Sequence, residues 1–148
     1  LPWLRDRIFD AASAADEELW GGVLAGKAVN LRCAEYHTVT PPGNLAFERH
    51  YDHGSLITID IMLSDATAFD GGTFETSEPG DYLLEHPFEK GDLLLFLSHK
   101  YHCVSEIESG TRNVLVAELW EGDEREPADG RCDQRHGALA PESVSLNS

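Results

Sequence analysis

Basic residues are scarce in this chain: 11 Lys and Arg stand against 27 Asp and Glu, a formal charge of −16 at pH 7. That balance disfavours nucleic-acid binding, because phosphate contacts need clustered cations. The acidity fits either a field that attracts basic substrates or a charge that keeps the chain soluble, the second being the commoner use. Long apolar runs are missing too. No stretch approaches the roughly 20 residues that cross a bilayer, so the chain carries no membrane segment, and no secretory apolar region follows Leu1. A start at Leu1 rather than Met points to a trimmed chain whose targeting segment could be gone, which leaves localisation open. Cysteine is also rare. Cys33, Cys103 and Cys132 are odd in number and widely spaced, neither a disulfide framework nor a zinc pattern, and a single bridge involving Cys132 stays open. No Gly-x-Ser-x-Gly elbow occurs, which removes support for Ser-His-Asp hydrolysis. Gly71-Gly72 is too short for a phosphate loop and reads as a turn or bulge.

What is present fits one domain of 148 residues, long enough to bury a core of its own. Trp3, Leu4, Ile8, Phe9, Ala12, Leu19 and Trp20 recur at helical spacing and predict a helix over about 3–20, stopped by Gly21-Gly22. From Ala28 the texture changes to short apolar runs broken by Gly, Pro, Asp and Asn. Strands are predicted over 28–38, 45–52, 55–63, 72–76, 81–86, 92–97, 101–107 and 111–120, with turns at Pro41-Pro42-Gly43-Asn44, Asp70-Gly71-Gly72 and Glu108-Ser109-Gly110. The runs Leu56–Leu63 and Leu93–Leu97 are continuous enough to be buried on both faces, as two packed sheets require. The expected fold is therefore mainly β, a double-stranded β-helix (jelly roll) with an N-terminal helix buttressing one sheet. No internal repeat is visible. The jelly-roll core is expected over about 28–120 within a domain 1–120, and the acidic, Pro- and Gly-bearing stretch 121–148 reads as a tail.

The chemistry begins at Arg49-His50-Tyr51-Asp52-His53. On a strand, residues two apart face the same way, so His50 and Asp52 can share one metal and need a third ligand from elsewhere. Two imidazoles and one carboxylate on one face of an octahedron leave positions open, the arrangement of non-haem iron(II) oxygenases. Alone, His-x-Asp is a weak signal. The segment Ser98-His99-Lys100-Tyr101-His102 follows an apolar strand and supplies two more histidines, and Arg112 lies ten positions beyond His102, at the head of the next strand. An inward-facing guanidinium there is suited to hold a carboxylate through two parallel hydrogen bonds.

These motifs together resemble the iron(II)/2-oxoglutarate-dependent dioxygenases of the prolyl 4-hydroxylase and lysyl hydroxylase type. The likeness runs from about Leu31 to Trp120: His50-Tyr51-Asp52, Leu63-Ser64-Asp65, Phe69–Phe74, Phe88–Phe96 with its Lys90-Gly91-Asp92, and His102 to Gly110-Thr111-Arg112. The resemblance implies His50, Asp52 and His102 as iron ligands and Arg112 as the anchor of the distal carboxylate of 2-oxoglutarate. It further implies that Tyr36 supports the same carboxylate and that Thr58 lines the co-substrate pocket. Fe(II) and 2-oxoglutarate are then the cofactor and co-substrate, with ascorbate an optional addition. The implied reaction is hydroxylation of an unactivated C–H bond, of a prolyl or lysyl residue in a peptide or protein, with release of succinate and CO2. Collagen-type prolyl 4-hydroxylases commonly carry Lys at the anchor, so Arg112 brings the chain nearer to lysyl and other prolyl hydroxylases. Asp52 favours hydroxylation over halogenation, for which a small residue would free a coordination position.

Competing readings are an oxygenase acting on a free small molecule, a catalytically silent metal- or peptide-binding jelly roll, and a cupin-like metalloenzyme, whose usual cluster of several His with a Glu is not seen here. His53 and His99 are alternative ligands, but His53 has the wrong parity and His99 the wrong interval to Arg112. Both read as surface or supporting histidines. Arg112 has an alternative as an outer-face partner for Glu106 or Glu118, and Tyr36 as a core aromatic. The sequence leaves the oligomeric state undetermined.

Overall fold

A computed structural model describes residues 1–43 and 45–123. Asn44, Cys132 and the stretch 124–148 of the expected tail lie outside them. The chain opens with helix α1 (Pro2–Ala15), continued by a wider π-type turn, Asp16–Trp20, and stopped by Gly21 in the left-handed conformation. Pro2 suits the first turn, where no helical N–H is lost. The buried Asp16 carboxylate accepts hydrogen bonds from the backbone N–H groups of Val23 and Leu24 at 2.7 and 2.8 Å, which folds the chain back after the helix.

Ten strands follow: β1 (Val29–Val39), β2 (Leu45–His50), β3 (Ile57–Met62), β4 (Phe69–Gly71), β5 (Phe74–Glu78), β6 (Tyr82–Glu85), β7 (Leu93–Leu97), β8 (His102–Val104), β9 (Ile107–Gly110) and β10 (Arg112–Glu121). They form one sheet in the order β1-β10-β3-β7, a second in the order β2-β8-β5-β6, and a ribbon of β4 with β9, with every pair antiparallel. This is the expected mainly β, jelly-roll architecture with a helix on one sheet.

Strand β3 explains the layering. All six of its residues are buried, as the apolar run predicted. Ile57, Ile59 and Ile61 face outward and pack with Ala117 and Leu119 of β10 against Ile8 and Ala12 of α1. Each such isoleucine contributes about 1.5–3 kcal/mol of hydrophobic burial. Thr58, Asp60 and Met62 alternate to the inner face, toward the second sheet. There a smaller apolar cluster of Phe74, Phe96 and Val104, flanked by Phe88 and Leu94, fills the space between the layers.

Two expectations need correction. Leu93–Leu97 is not buried on both faces, because β7 is an edge strand, and Leu93 is 38% exposed. The predicted strand 101–107 and the turn after it are instead β8 and β9, and β9 pairs with Phe69–Gly71, which contains most of the predicted Asp70-Gly71-Gly72 turn. Glycine permits this close pairing. Gly110 has φ 79°, and a Cβ there would collide with the Ala68 carbonyl oxygen. The register slips between Asp70 and Gly71, the bulge that the double glycine suggested.

Candidate metal centre

Strand pairing places two of the histidines. His50 at the end of β2 and His102 at the start of β8 are direct cross-strand partners, with ring centroids 4.1 Å apart. Directly opposed residues of an antiparallel pair project to the same face. His50 and Asp52 do not share a continuous strand, as their spacing suggested. Strand β2 ends at His50, and the Asp52 N–H leaves it to bond the Ser98 carbonyl at 2.8 Å. The carboxylate still turns inward: Asp52 Oδ1 lies 3.9 Å from His50 Nε2 and 4.0 Å from His102 Nε2. One donor atom from each of the three buried residues falls within 4.8 Å of the others, so a single ion could touch all three.

The surroundings orient these donors. Thr58 donates to Asp52 Oδ2 at 2.6 Å and shares a hydrogen bond with Ser98 Oγ at 2.8 Å, which leaves Oδ1 aimed at the imidazoles. The Lys100 carbonyl, 3.0 Å from His102 Nδ1, can only accept, so that nitrogen carries the proton and Nε2 presents its lone pair. Phe74 stacks on His102 at 5.3 Å and Phe96 tilts against it at 4.6 Å, fixing the ring in an apolar wall. Beyond these three donors, Arg32 binds the His53 carbonyl, Ser55 Oγ and Glu118, each at 2.8 Å, and so fastens the loop that follows Asp52.

Arg112 enters from β10, on the same inner face as Val114 and Glu118. Ser64 holds its neighbours: Ser64 Oγ donates to the Thr111 carbonyl at 3.1 Å and accepts from the Asn113 N–H at 2.8 Å. The guanidinium is 2% exposed and lies 5.8 Å from the Phe88 ring centre, yet its buried Nε and Nη2 have no hydrogen-bond partner. Burial lowers its pKa while Asp60 opposes the shift. Unpaired buried donors are uncommon, and these two point to an acceptor supplied by a ligand. Gly72 sits tightly against both Ile107 and this side chain, since a Cβ there would collide with Ile107 Cδ1 and lie 3.0 Å from Arg112 Cδ, and its φ of 65° suits glycine.

The remaining predicted residues are placed differently. Tyr36 pairs with Leu115, whose side chain lies on the helix-covered face, so the tyrosine points away from Arg112 and is 62% exposed. Its role beside Arg112 is therefore withdrawn; from β1, Glu35 and His37 face inward, joined at 2.9 Å. Thr58 faces the interior, and its hydroxyl is engaged with Asp52 and Ser98, where it orients the carboxylate. His53 and His99 stay outside the cluster. No disulfide joins Cys33 to Cys103. Asp60 and Ser98 were missed by the sequence reading. The signal for Asp60 was its in-phase position with Thr58 inside an isoleucine run.

A cavity of about 290 Å³ is lined by Trp20, Thr76, Glu78, His86, Phe96 and Lys100 among others; none of His50, Asp52, His102 and Arg112 lines it. Thr76, opposite His102 in register, shares hydrogen bonds with Glu78 and His86 at 2.7 Å each. Lys100, 2.7 Å away, and Thr76 hold the Glu78 carboxyl below its ordinary range.

No family model and no curated protein matches this chain. Solved structures do. A crystal structure described as an oxidoreductase of the 2OG-Fe(II) oxygenase family, from Burkholderia pseudomallei, superposes with a TM-score of 0.59 at 17% identity, over 79% of this chain and 58% of its own. A prolyl-4-hydroxylase from Pseudomonas putida does so with a TM-score of 0.63 at 16% identity, over 81% and 65%. The chain thus shares their fold and spans about three-fifths of the length of the structures it matches.

Proposed function

We propose that this chain is an iron(II)- and 2-oxoglutarate-dependent hydroxylase acting on an unactivated C–H bond, with a prolyl or lysyl residue of a peptide or protein as the first substrate class to test. The observation that carries this reading is the pairing of a buried His50–Asp52–His102 cluster with an Arg112 guanidinium that lacks an acceptor on the same inner face. The donor set fits iron(II), since two imidazoles and one carboxylate from three protein groups leave coordination positions for small ligands. The orphaned guanidinium fits the far carboxylate of a dicarboxylic acid. When bound, iron(II) with 2-oxoglutarate and dioxygen supplies the hydrogen abstraction and hydroxylation, leaving succinate and CO2.

The protein's share is binding and orientation. His50 and His102 would hold the metal through Nε2 and Asp52 through Oδ1, with the Lys100 carbonyl fixing His102 and Thr58 fixing Asp52. Arg112 would grip the distal carboxylate and so set the keto-acid end toward the cluster. Phe74, Phe88 and Phe96 keep this interior dry, which strengthens the charge contacts. The cavity bordered by Phe96 and Thr76, both neighbours of His102, is the candidate place for a substrate side chain. Its size is at the small end of ligand pockets, suited to a single side chain or a small molecule. The net charge of −16 favours a basic partner. The same reading assigns the activity to residues 1–120, and ascorbate, where needed, as the reductant that keeps iron ferrous.

The test is succinate release from 2-oxoglutarate with Fe(II), against prolyl and lysyl peptides and a set of small molecules. Substrate-stimulated succinate supports the proposal, and metal uptake without turnover under any condition would leave a silent binding module. Arg112→Ala should raise the apparent KM for 2-oxoglutarate about 10- to 100-fold, as expected for losing a charge-assisted contact of roughly 1.5–3 kcal/mol. An unchanged KM would move the anchor elsewhere.

A further inference from the structure

The inner face of β3 carries one group that this chemistry leaves unused. Asp60 is 6% exposed and lies between Thr58, which steadies Asp52, and Met62. Its cross-strand neighbours are Val116 and Leu94, and among the described residues no hydrogen bond or ion pair holds its carboxyl. Arg112 on the adjacent strand is buried with two partnerless nitrogens. The two groups feel each other electrostatically, yet no ion pair within 4.0 Å joins them. Buried beside Asp60 without pairing to it, Arg112 keeps two donors for an incoming anion.

Burial pushes the Asp60 pKa up to about 7; Arg112 opposes the rise, and Asp52 and Glu118 add to it. Other titratable groups toward this interior include Cys33, Glu35 and His37 from β1 and His50 and His102 from the second sheet, while β7 offers Leu94 and Phe96. A dicarboxylate entering beside an ionised Asp60 would place like charges together in a low dielectric and share the one guanidinium between two anions.

We propose that Asp60 couples co-substrate binding to a proton: the dicarboxylate binds with Asp60 as the neutral acid, which leaves the Arg112 charge to the incoming carboxylate. Above the point where free Asp60 ionises, binding takes up one proton from solvent; below it, none. This rests on the oxygenase reading, and the experiment separates the two. The Kd of 2-oxoglutarate is measured between pH 6 and 8.5 on protein saturated with Mn(II), a redox-inert stand-in for iron. Both ligand carboxyls stay ionised over this range. Wild type should bind more weakly as pH rises through the ionisation of Asp60, approaching about tenfold per pH unit beyond it, while Asp60→Asn holds the low-pH affinity throughout. A wild-type Kd that ignores pH, or Asp60→Asn with the wild-type slope, overturns the coupling and leaves the oxygenase reading standing. Absence of 2-oxoglutarate binding at every pH overturns both. Should Asp60→Asn not fold, calorimetry of wild type at pH 8 in buffers of differing ionisation enthalpy reads the same quantity: about one proton taken up per ligand supports the coupling, and none refutes it.

Discussion

Three side chains bear most of the chemistry argued above, and each can be removed singly. Asp52 contributes the one anionic donor of the cluster, so Asp52→Ala should abolish succinate formation and weaken Mn(II) binding by at least about 100-fold, more than the loss of a merely supporting group. Calorimetric titration of Mn(II) measures this, and near wild-type turnover would refute the assignment. Thr58→Val keeps shape but removes the hydrogen bond to Asp52 Oδ2. Metal affinity should fall about 10- to 100-fold with the fold intact; full affinity would mean that the carboxylate needs no steadying. Asp60 makes a prediction about stability as well. Its pKa is about 7 in the folded chain against an ordinary 3.8, so the native state holds the proton more tightly. Its contribution is complete below pH 3.8 and is lost as pH rises toward 7, by on the order of 4 kcal/mol. Urea unfolding of wild type and Asp60→Asn should therefore diverge with rising pH, the variant gaining relative to wild type; parallel curves from pH 5 to 8 would show that Asp60 does not titrate there.

Among the elements, legibility followed the range of the forces involved. Helix α1 and the strands of the two main sheets announce themselves through local periodicity and turn residues. The convergence of His50, Asp52 and His102 was readable through the motif resemblance, although the shared strand expected for His50 and Asp52 ends at His50. The ribbon of β4 and β9 was not. Asp70-Gly71 and Ser109-Gly110 carry turn chemistry, and they pair only because the fold brings distant segments together. The face of Tyr36 was equally hidden: a register shift between Leu31 and Cys33 and the pairing to Leu115 decide it, and neither leaves a local trace. Asp60 passed unnoticed because one polar residue in an isoleucine run reads as tolerated noise. Gly72→Ala tests how far the ribbon serves the site. The added methyl would press on Ile107 Cδ1 first and on Arg112 Cδ as well, so the apparent KM for 2-oxoglutarate should rise roughly 10-fold, approaching the loss of the charge-assisted contact itself. A KM equal to wild type would show that the arginine accommodates the change.

At the scale of the whole molecule, an ion at the His50–Asp52–His102 cluster would tie the layers to one another. Its ligands come from β2, β8 and the loop that bonds Ser98 after β7, so an ion held by all three clips the second sheet to the first. Mn(II) at 100 times its Kd should stabilise the native chain by about 2.7 kcal/mol, measured as a chelator-reversible rise in unfolding midpoint, and Asp52→Ala should show none of it. The outer seam relies on packing instead. Ile59→Ala, in the fully buried layer under α1, should destabilise by about 2–5 kcal/mol in urea unfolding at saturating metal.

The alternation along β3 has one more consequence. Six residues present isoleucines to the helix and Thr58, Asp60 and Met62 to the interior, so a slip of a single residue would exchange the two sets completely. The acid and the hydroxyl would then sit beneath α1, and three aliphatic chains would crowd the space where an ion belongs. A chain trapped in that arrangement loses its packing and its affinity for metal together, so immobilised divalent cations would retain correctly registered molecules and let the slipped ones pass.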